Sequence, residues 1–426
     1  MPAAARPVPG LVVDVAQRRA RLARRHGLVV PFDDAPTASR QLVALHGTDA
    51  SGPYVASWAR VPGFTTSDLD AALFEDRTLV RHLAMRRTLW VADAALLPAL
   101  VAGPGARVAG QERRRLVKEL DLDPAGDGDG EAWLDAAAAR VVAHLADGRP
   151  RTATELRAEL PELGRTVVAG PGTRWSTTMP ALPRVLTYLA ARGVLLRGPN
   201  RGGWTSSRPA WTLPETWLGA PVAQVDADAA HDELVGRWLR AFGPGTERDV
   251  TWWLGSTLTA VRRSLVTLGA VPVLLPPEVP TVGAGGAGGP GASGDAGEIG
   301  YLLPDDLDPV PDVGPWVALL PGLDPTTMGW AGRDWYLGPH ASEVVDSVGN
   351  AGPTAWVDGR VVGAWAAATG VVELALLEDV GRRARAAIDA EVARLTAWLA
   401  GGRVAPSFPS PLFGGRRAAG TVGRTG

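Results

Sequence analysis

Three stretches of the chain share one arrangement of hydrophobic and polar positions. In each, a hydroxyl residue is followed three positions later by a carboxylate, the signature of a helix capping box, and a short apolar-periodic segment comes next. The pairs are Ser67 with Asp70, Thr152 with Glu155, and Thr246 with Asp249, opening DLDAALFED, ATELRAEL and ERDVTWWLG. A second segment bearing arginines follows each of them. One supersecondary unit used three times is therefore predicted.

The middle copy is the clearest. Leu182, Val185, Leu186 and Leu189 fall at helical spacing and predict one buried stripe, with Arg184, Thr187, Tyr188 and Ala191 facing away. GVLLRG, the turn PNRGG and WTSS then read as strand, turn and strand. Helix, helix, helix, hairpin is the winged-helix order, in which one helix and the hairpin are offered to DNA. The third copy repeats it: HDELVGRWLRAF is amphipathic, and TLTAVRRSLVTLG places Leu258, Val261, Leu265 and Leu268 inward with Arg262 and Arg263 outward. AVPVLL and GEIGYLLP would form its hairpin around a glycine-rich insert at 281–298. Beyond residue 314 the pattern turns to strands (WVALLPGLD, WVDGRVVGAW, VVELALLE), closed by the amphipathic helix DVGRRARAAIDAEVARLTAWLA. The expected divisions are 10–120, 131–220, 228–312 and 313–400, with a disordered tail at 401–426.

Composition narrows the chemistry. Hydrophobic residues make up 46% and charged ones 21% of 426 positions, enough apolar surface for several cores. Cysteine is absent, which removes disulfides, thiolate catalysis and Cys-bound metal; the histidines show no metal-ligand spacing, and no cofactor is expected. Lys118 is the single lysine and lies in RLVKEL, so a Walker A nucleotide site is excluded. The insert matches GxGxxG at 283–288, but Pro290 follows where a helix should start, so it reads as a loop. The acidic run at 121–131 misses the calcium-loop spacing and reads as a linker. No leader or membrane-length apolar run is visible, the best being 361–372, so a cytoplasmic, nucleoid-associated protein without a membrane partner is expected.

The net charge of -2 averages over a local block. Residues 165–214 hold seven arginines (165, 174, 184, 192, 197, 201 and 208) and no acid, interleaved with Trp175, Trp204 and Trp211. This pattern points to a surface that tracks phosphates, with Arg174, Arg184, Arg197 and Arg201 as contacts and Tyr188, Trp175 and Trp204 beside them for stacking. Arg86 and Arg87 are further candidates, as are Arg262 and Arg263. Most other tryptophans, including Trp238, Trp252 and Trp253, are assigned to core, and the other five histidines to the surface or to satisfied packing positions.

LVALHGTDAS with YVASWARVPGF, LVRHLAMRRTLWVA, VLTYLAARGVLLRGPNRGGWTSS, ELVGRWLRAFGPGTERDVTWWLG, LLPGLDPTTMGW and VDGRVVGAW together carry a resemblance over most of residues 10–400. On these strings the chain resembles the bacterial winged-helix DNA-binding family that includes DNA glycosylases acting on bulky N7-alkylpurine adducts and interstrand crosslinks. The resemblance implies an α+β fold of three tandem winged-helix modules and a C-terminal β-barrel-like part, C-shaped around a DNA cleft. It also implies double-stranded DNA, alkylated or crosslinked, as the partner. The family's Gln-x-Gln pair corresponds to His46 and Thr48 in Leu45-His46-Gly47-Thr48-Asp49, and its Arg-Gly-Thr-Leu-His string to Arg86-Arg87-Thr88-Leu89-Trp90. His46 could take a proton from water or orient it, Thr48 could hydrogen-bond it, and Asp49 could act as base or oppose positive charge on the sugar. The alternative for this segment is a polar turn in which Thr48 or Asp49 caps the following helix. Three functions stay open: a monofunctional DNA glycosylase, a non-catalytic DNA-binding protein or transcriptional regulator on the same scaffold, and a scaffold that serves protein interactions.

Overall fold

A computed structural model describes residues 10–122, 129–170, 176–277 and 297–414. The GxGxxG stretch, most of the glycine-rich insert, part of the acidic run, and Arg174 and Trp175 lie outside them. Among the described residues the fold is mixed α+β, built from small antiparallel sheets and packed helices.

The first sheet joins β1 (Leu45–His46), β2 (Leu79–Leu83) and β3 (Leu89–Asp93) in the order β1-β3-β2, which sets His46 opposite Trp90. In the middle segment β4 (Arg151–Thr152) precedes the capped helix Ala153–Glu159, and β5 (Thr166–Ala169) pairs with β6 (Thr177–Pro180). After helix Leu182–Ala191 come β7 (Leu196–Asn200) and β8 (Pro209–Thr212), in the sheet order β4-β8-β7. The third segment repeats this plan with β9 (Gly245–Thr246), helices Glu247–Leu254 and Leu258–Thr267, and the pair β10 (Val271–Leu275) and β11 (Glu298–Leu302).

Two of the three capping boxes stand where the sequence puts them, at Thr152 with Glu155 and Thr246 with Asp249. The first is Thr65 with Asp68, two residues before the expected Ser67 and Asp70. Both pairs satisfy the pattern; Asp70 instead accepts the Tyr54 hydroxyl at 2.5 Å and is not available to a cap. The middle hairpin returns at Pro209–Thr212 and not in WTSS, because the Asn200 side chain knits the intervening loop. Its amide donates to the carbonyls of Gly203 and Ser206, and its Oδ1 accepts from Arg208 N at 2.7 Å.

The C-terminal strands are β12 (Val317–Leu320), β13 (Thr354–Val357), β14 (Arg360–Ala366) and β15 (Glu373–Leu376). They form an open four-stranded meander, β12-β13-β14-β15, and not the barrel-like closure expected. The β13–β14 turn is Asp358-Gly359, with φ of 48° and 81°, the double left-handed geometry of a tight hairpin. Helix Gly381–Leu399 packs on β12. Residues 401–414, expected to be disordered, are ordered here: Val404 pairs with Ala367 and is buried, and a short helix runs Pro411–Gly414.

Packing ties these segments together. One core joins Leu22, Trp90, Trp238, Trp253 and Trp356, drawn from the first, third and C-terminal parts. The middle segment has its own core, to which helix Ala106–Asp121 contributes Val108, Leu116 and Leu120. Two polar clamps cross the joins. Arg60 and Asp324, both fully buried, meet at 2.7 and 3.0 Å, and Arg60 also donates to the carbonyls of His26 and Ala56 and to Thr326 Oγ1. Asp249 serves its own cap through Oδ2 and accepts the Ala331 and Gly332 amides through Oδ1.

Candidate functional site

A cavity of ≈ 450 Å³ opens where the first, middle and C-terminal segments meet. His46 and Thr48 line it from the end of β1, Leu83, Arg86, Arg87, Thr88 and Leu89 from the β2–β3 turn, and Arg197 and Ser207 from the middle hairpin. Leu323, Met328, Asn350 and Phe408 complete it. No carboxylate stands among these lining residues and three guanidinium groups do, one of them, Arg87, paired with Glu112 beyond the lining, so the field is cationic chiefly through Arg86 and Arg197.

The β2–β3 turn fixes two of them. Arg86 and Arg87 both hold a positive φ, 53° and 61°, which costs a non-glycine residue on the order of 1 kcal/mol each. Neighbouring bonds hold the turn in place: Ala84 N donates to Thr88 O, Arg87 N to Ala84 O, and Trp90 Nε1 to Met85 O. The Arg86 guanidinium lies 3.9 Å from the centre of the Trp252 ring. Burial, and then the neighbouring Arg333, lower its pKa to about 10, so it stays charged at neutral pH. Arg87 pairs with the buried carboxylate of Glu112. Arg197 stacks 4.7 Å from the Trp211 ring, its pKa also lowered to about 10 by burial and then by Arg81.

His46 is buried, packs edge-on to Trp90 at 4.8 Å and receives a long contact from Thr48 N at its Nδ1 (3.5 Å). That contact leaves the proton on Nε2. Burial, reinforced by Arg86, lowers its pKa to about 3, so the ring is neutral at physiological pH. Thr48 is exposed beside it. Asp49 turns away from the cavity: its Oδ1 accepts the Ser407 amide at 2.9 Å, and its Oδ2 is buried without a hydrogen-bond partner. The helix that follows, Gly52–Trp58, has Ser51 as its N-cap residue and no side-chain cap, so neither Thr48 nor Asp49 plays the capping role.

The structure thus brings His46, Thr48, Arg86, Arg87 and Arg197 together and separates the other candidates from them. Arg184 and Tyr188 face inward, not outward. Arg184 pairs with Glu119 at 2.8 Å, and the Tyr188 hydroxyl, on a buried side chain, accepts Arg192 at 3.1 Å. Ala191 is buried as well. The acid-free run 165–214 draws Glu119 from another helix, so this part of its charge is internal. Arg262 pairs with Glu247 at 2.9 Å, and Arg263 pairs with Asp228; Leu258, expected inside, is exposed. Trp204 packs on Tyr54 and Trp398, with centroids 5.8 and 5.4 Å away, which pins the hairpin loop to the first segment and leaves Arg201 exposed at its tip. Asn350, Met328 and Phe408 were missed by sequence reasoning, since each reaches the cavity from a distant segment with no local motif. Among the described residues no cluster of His, Cys, Asp or Glu could hold a metal, and no helix is long and apolar enough to cross a membrane.

Burial of histidines also sets a pH dependence. His26 and His46 are lowered to about 3 and His82 to about 4, in each case chiefly by burial. In the unfolded chain each titrates near 6.5. Below that value the unfolded state binds protons that the folded state refuses, so the stability they contribute is whole above pH ~6.5 and is lost as pH falls toward 3–4. Tm measured across pH is expected to be level above 7 and to drop steadily below 6.5; a level Tm down to pH 4 would show these rings to be solvated.

The profile of the family described as DNA glycosylase AlkZ-like matches residues 39–398. The interstrand DNA cross-link repair glycosylase of Streptomyces sahachiroi is 30% identical over 186 residues, 42% of this chain and 45% of that protein, so the match spans less than half of the relative. The solved structure of the Streptomyces sahachiroi DNA glycosylase AlkZ superposes with a TM-score of 0.65 at 20% identity, covering 92% of this chain and 99% of that one. At that identity the superposition speaks for the fold.

Proposed function

Since the chain belongs to the AlkZ-like DNA glycosylase family, we propose that it is a monofunctional DNA glycosylase that hydrolyses the N-glycosidic bond of bulky N7-alkylated purines or crosslinks in duplex DNA. The observation that carries this reading is the meeting of His46 and Thr48 with Arg86, Arg87 and Arg197 around one cavity. Alkylation at N7 leaves the purine cationic, so the bond from C1′ to N9 can break with the electron pair departing on the base, which becomes neutral without a proton donor. The sugar is left oxocarbenium-like, water adds its oxygen at C1′, and the water's proton passes to solvent.

A His46 lowered to about 3 is too weak a base to drive this step. It acts by orienting water, donating from Nε2, with the exposed Thr48 hydroxyl beside it. Asp49 does not line the cavity and does not touch the reacting atoms; its carboxylate, one residue on from Thr48 and held by the Ser407 amide, opposes at a distance the positive charge that develops on the sugar. The three arginines suit the phosphates that flank the lesion. Lys118 sits at the surface beside Arg114 and Asp121, apart from the cavity, which favours hydrolysis over an amine-linked lyase step.

The repeated order of short strand, two helices and hairpin, with the short strand paired to the hairpin's second strand each time, supports winged-helix modules at 10–120, 131–220 and 228–312. We read them, with the C-terminal sheet, as a C-shaped holder for double-stranded DNA in the nucleoid. Incubating the protein with a duplex carrying an N7-alkylguanine is expected to release the modified base, with affinity that falls as salt rises. Salt-dependent binding without release would instead favour the regulator, for which the replacement of the family's glutamine pair by His46 and Thr48 speaks.

A further inference from the structure

We infer that the segment 404–414 is a working wall of this site, in which the Ser407 amide positions Asp49 and Phe408 sets which base substituents the cavity accepts. The inference rests on the glycosylase reading above and extends it to a part of the chain with no assigned role.

The segment is anchored on both sides of the cavity. Val404 N donates to Ala367 O at 3.1 Å with its side chain in the core, and Ser410 Oγ donates to Glu343 O at 2.6 Å. Gly352 is open to it: a Cβ there would stand 2.2 Å from Ser410 N, so any larger residue would push the segment off. Pro406, Pro409 and Pro411 remove amide donors and restrict the unfolded chain, so little order must be gained on docking. Of the donors that remain, Ser407 N is given to Asp49.

That bond has a consequence for Asp49. The residue is 9% exposed, and the Ser407 amide is the hydrogen-bond donor to its carboxylate; the other oxygen is buried and unpartnered. A buried carboxylate held by a single amide is costly to keep, and losing that amide strands it further. The contact joins residue 49 to residue 407, and their neighbours Thr48 and Phe408 both line the cavity. Moving the segment therefore moves Asp49 and the cavity wall together. Phe408 also packs with Leu323, Met328 and Ala351, and with the first two of these it gives the cavity an apolar side. An aromatic or aliphatic substituent on a base fits that side, whereas a methyl group would leave it untouched.

The test compares three full-length variants by single-turnover base release and duplex binding. Ser407→Pro deletes the amide proton; Ser407→Ala keeps it. Ser407→Pro is expected to slow release at least 10-fold at unchanged duplex affinity, and Ser407→Ala to match the wild type. Phe408→Ala is expected to slow release of a bulky aromatic N7 adduct about 10-fold more than it slows release of N7-methylguanine, and it decides the matter should Ser407→Pro lower Tm too far to assay. Wild-type rates in a folded Ser407→Pro protein, equal loss in Ser407→Ala, or equal loss on both adducts in Phe408→Ala would overturn the inference. A wild-type protein that releases no base fails the glycosylase reading itself.

Discussion

Replacing His46 by alanine is expected to slow release of an N7-alkylated base by about 100-fold or more, the scale of a positioned proton-transfer or water-orienting group, while duplex affinity changes little. The ring lies at the cavity wall, neutral, with Nδ1 turned to the Thr48 amide and Nε2 available. On the proposed reading, its removal takes away the group that orients water but leaves all three cavity guanidiniums in place. The loss should therefore appear in the single-turnover rate and not in Kd. His46→Gln restores an amide at the position where the family carries glutamine and is expected to recover part of the rate. The wild-type rate should show no inflection near pH 6.5, because the imidazole is already neutral there and titrates only near 3. An inflection near 6.5 that disappears in His46→Gln would assign His46 a titrating role and a more solvated ring.

The sequence makes some of this architecture readable and conceals the rest for physical reasons. Capping boxes at Thr152 and Thr246 are local, since hydroxyl and carboxylate act on amides three residues away, and they appear as written. His46, Thr48, Arg86 and Arg87 were also within reach, because a β1-β3-β2 sheet brings two short strings side by side. Charge is less legible. Counting acids within 165–214 treats the stretch as its own environment, whereas Glu119 on a preceding helix neutralises Arg184. Exposure cannot be inferred from a helical stripe when a second helix covers the opposite face, which is how Tyr188 and Ala191 become buried. Order in 401–414 is not legible in composition: proline and glycine speak against helices and strands, but an extended strap needs neither, and Val404 and Ser410 supply its anchors. Asp49 shows the limit most plainly, since its partner is 358 positions away.

Arg60→Ala is expected to cost about 3–5 kcal/mol of folding stability, because it abandons a buried carboxylate. Both Arg60 and Asp324 have no exposed side-chain surface, and the guanidinium also satisfies the carbonyls of His26 and Ala56 and the Thr326 hydroxyl. Removing it orphans Asp324 together with those acceptors. Removing both partners, as Arg60→Met with Asp324→Leu, spares the stranded charge and is expected to recover a substantial part of the loss, though not the acceptors left by the guanidinium. The clamp also fixes the chain on either side of Asp324, where Leu323 holds a φ of 60° and, with Met328, lines the cavity. The double variant should therefore fold and still release base slowly, since the apolar wall loses its tether while the His46 and arginine side keeps its own. Denaturant unfolding and single-turnover release measured on the same preparations separate the two effects. Full activity in a stable double variant would show that the 321–328 loop is held in place by its packing alone.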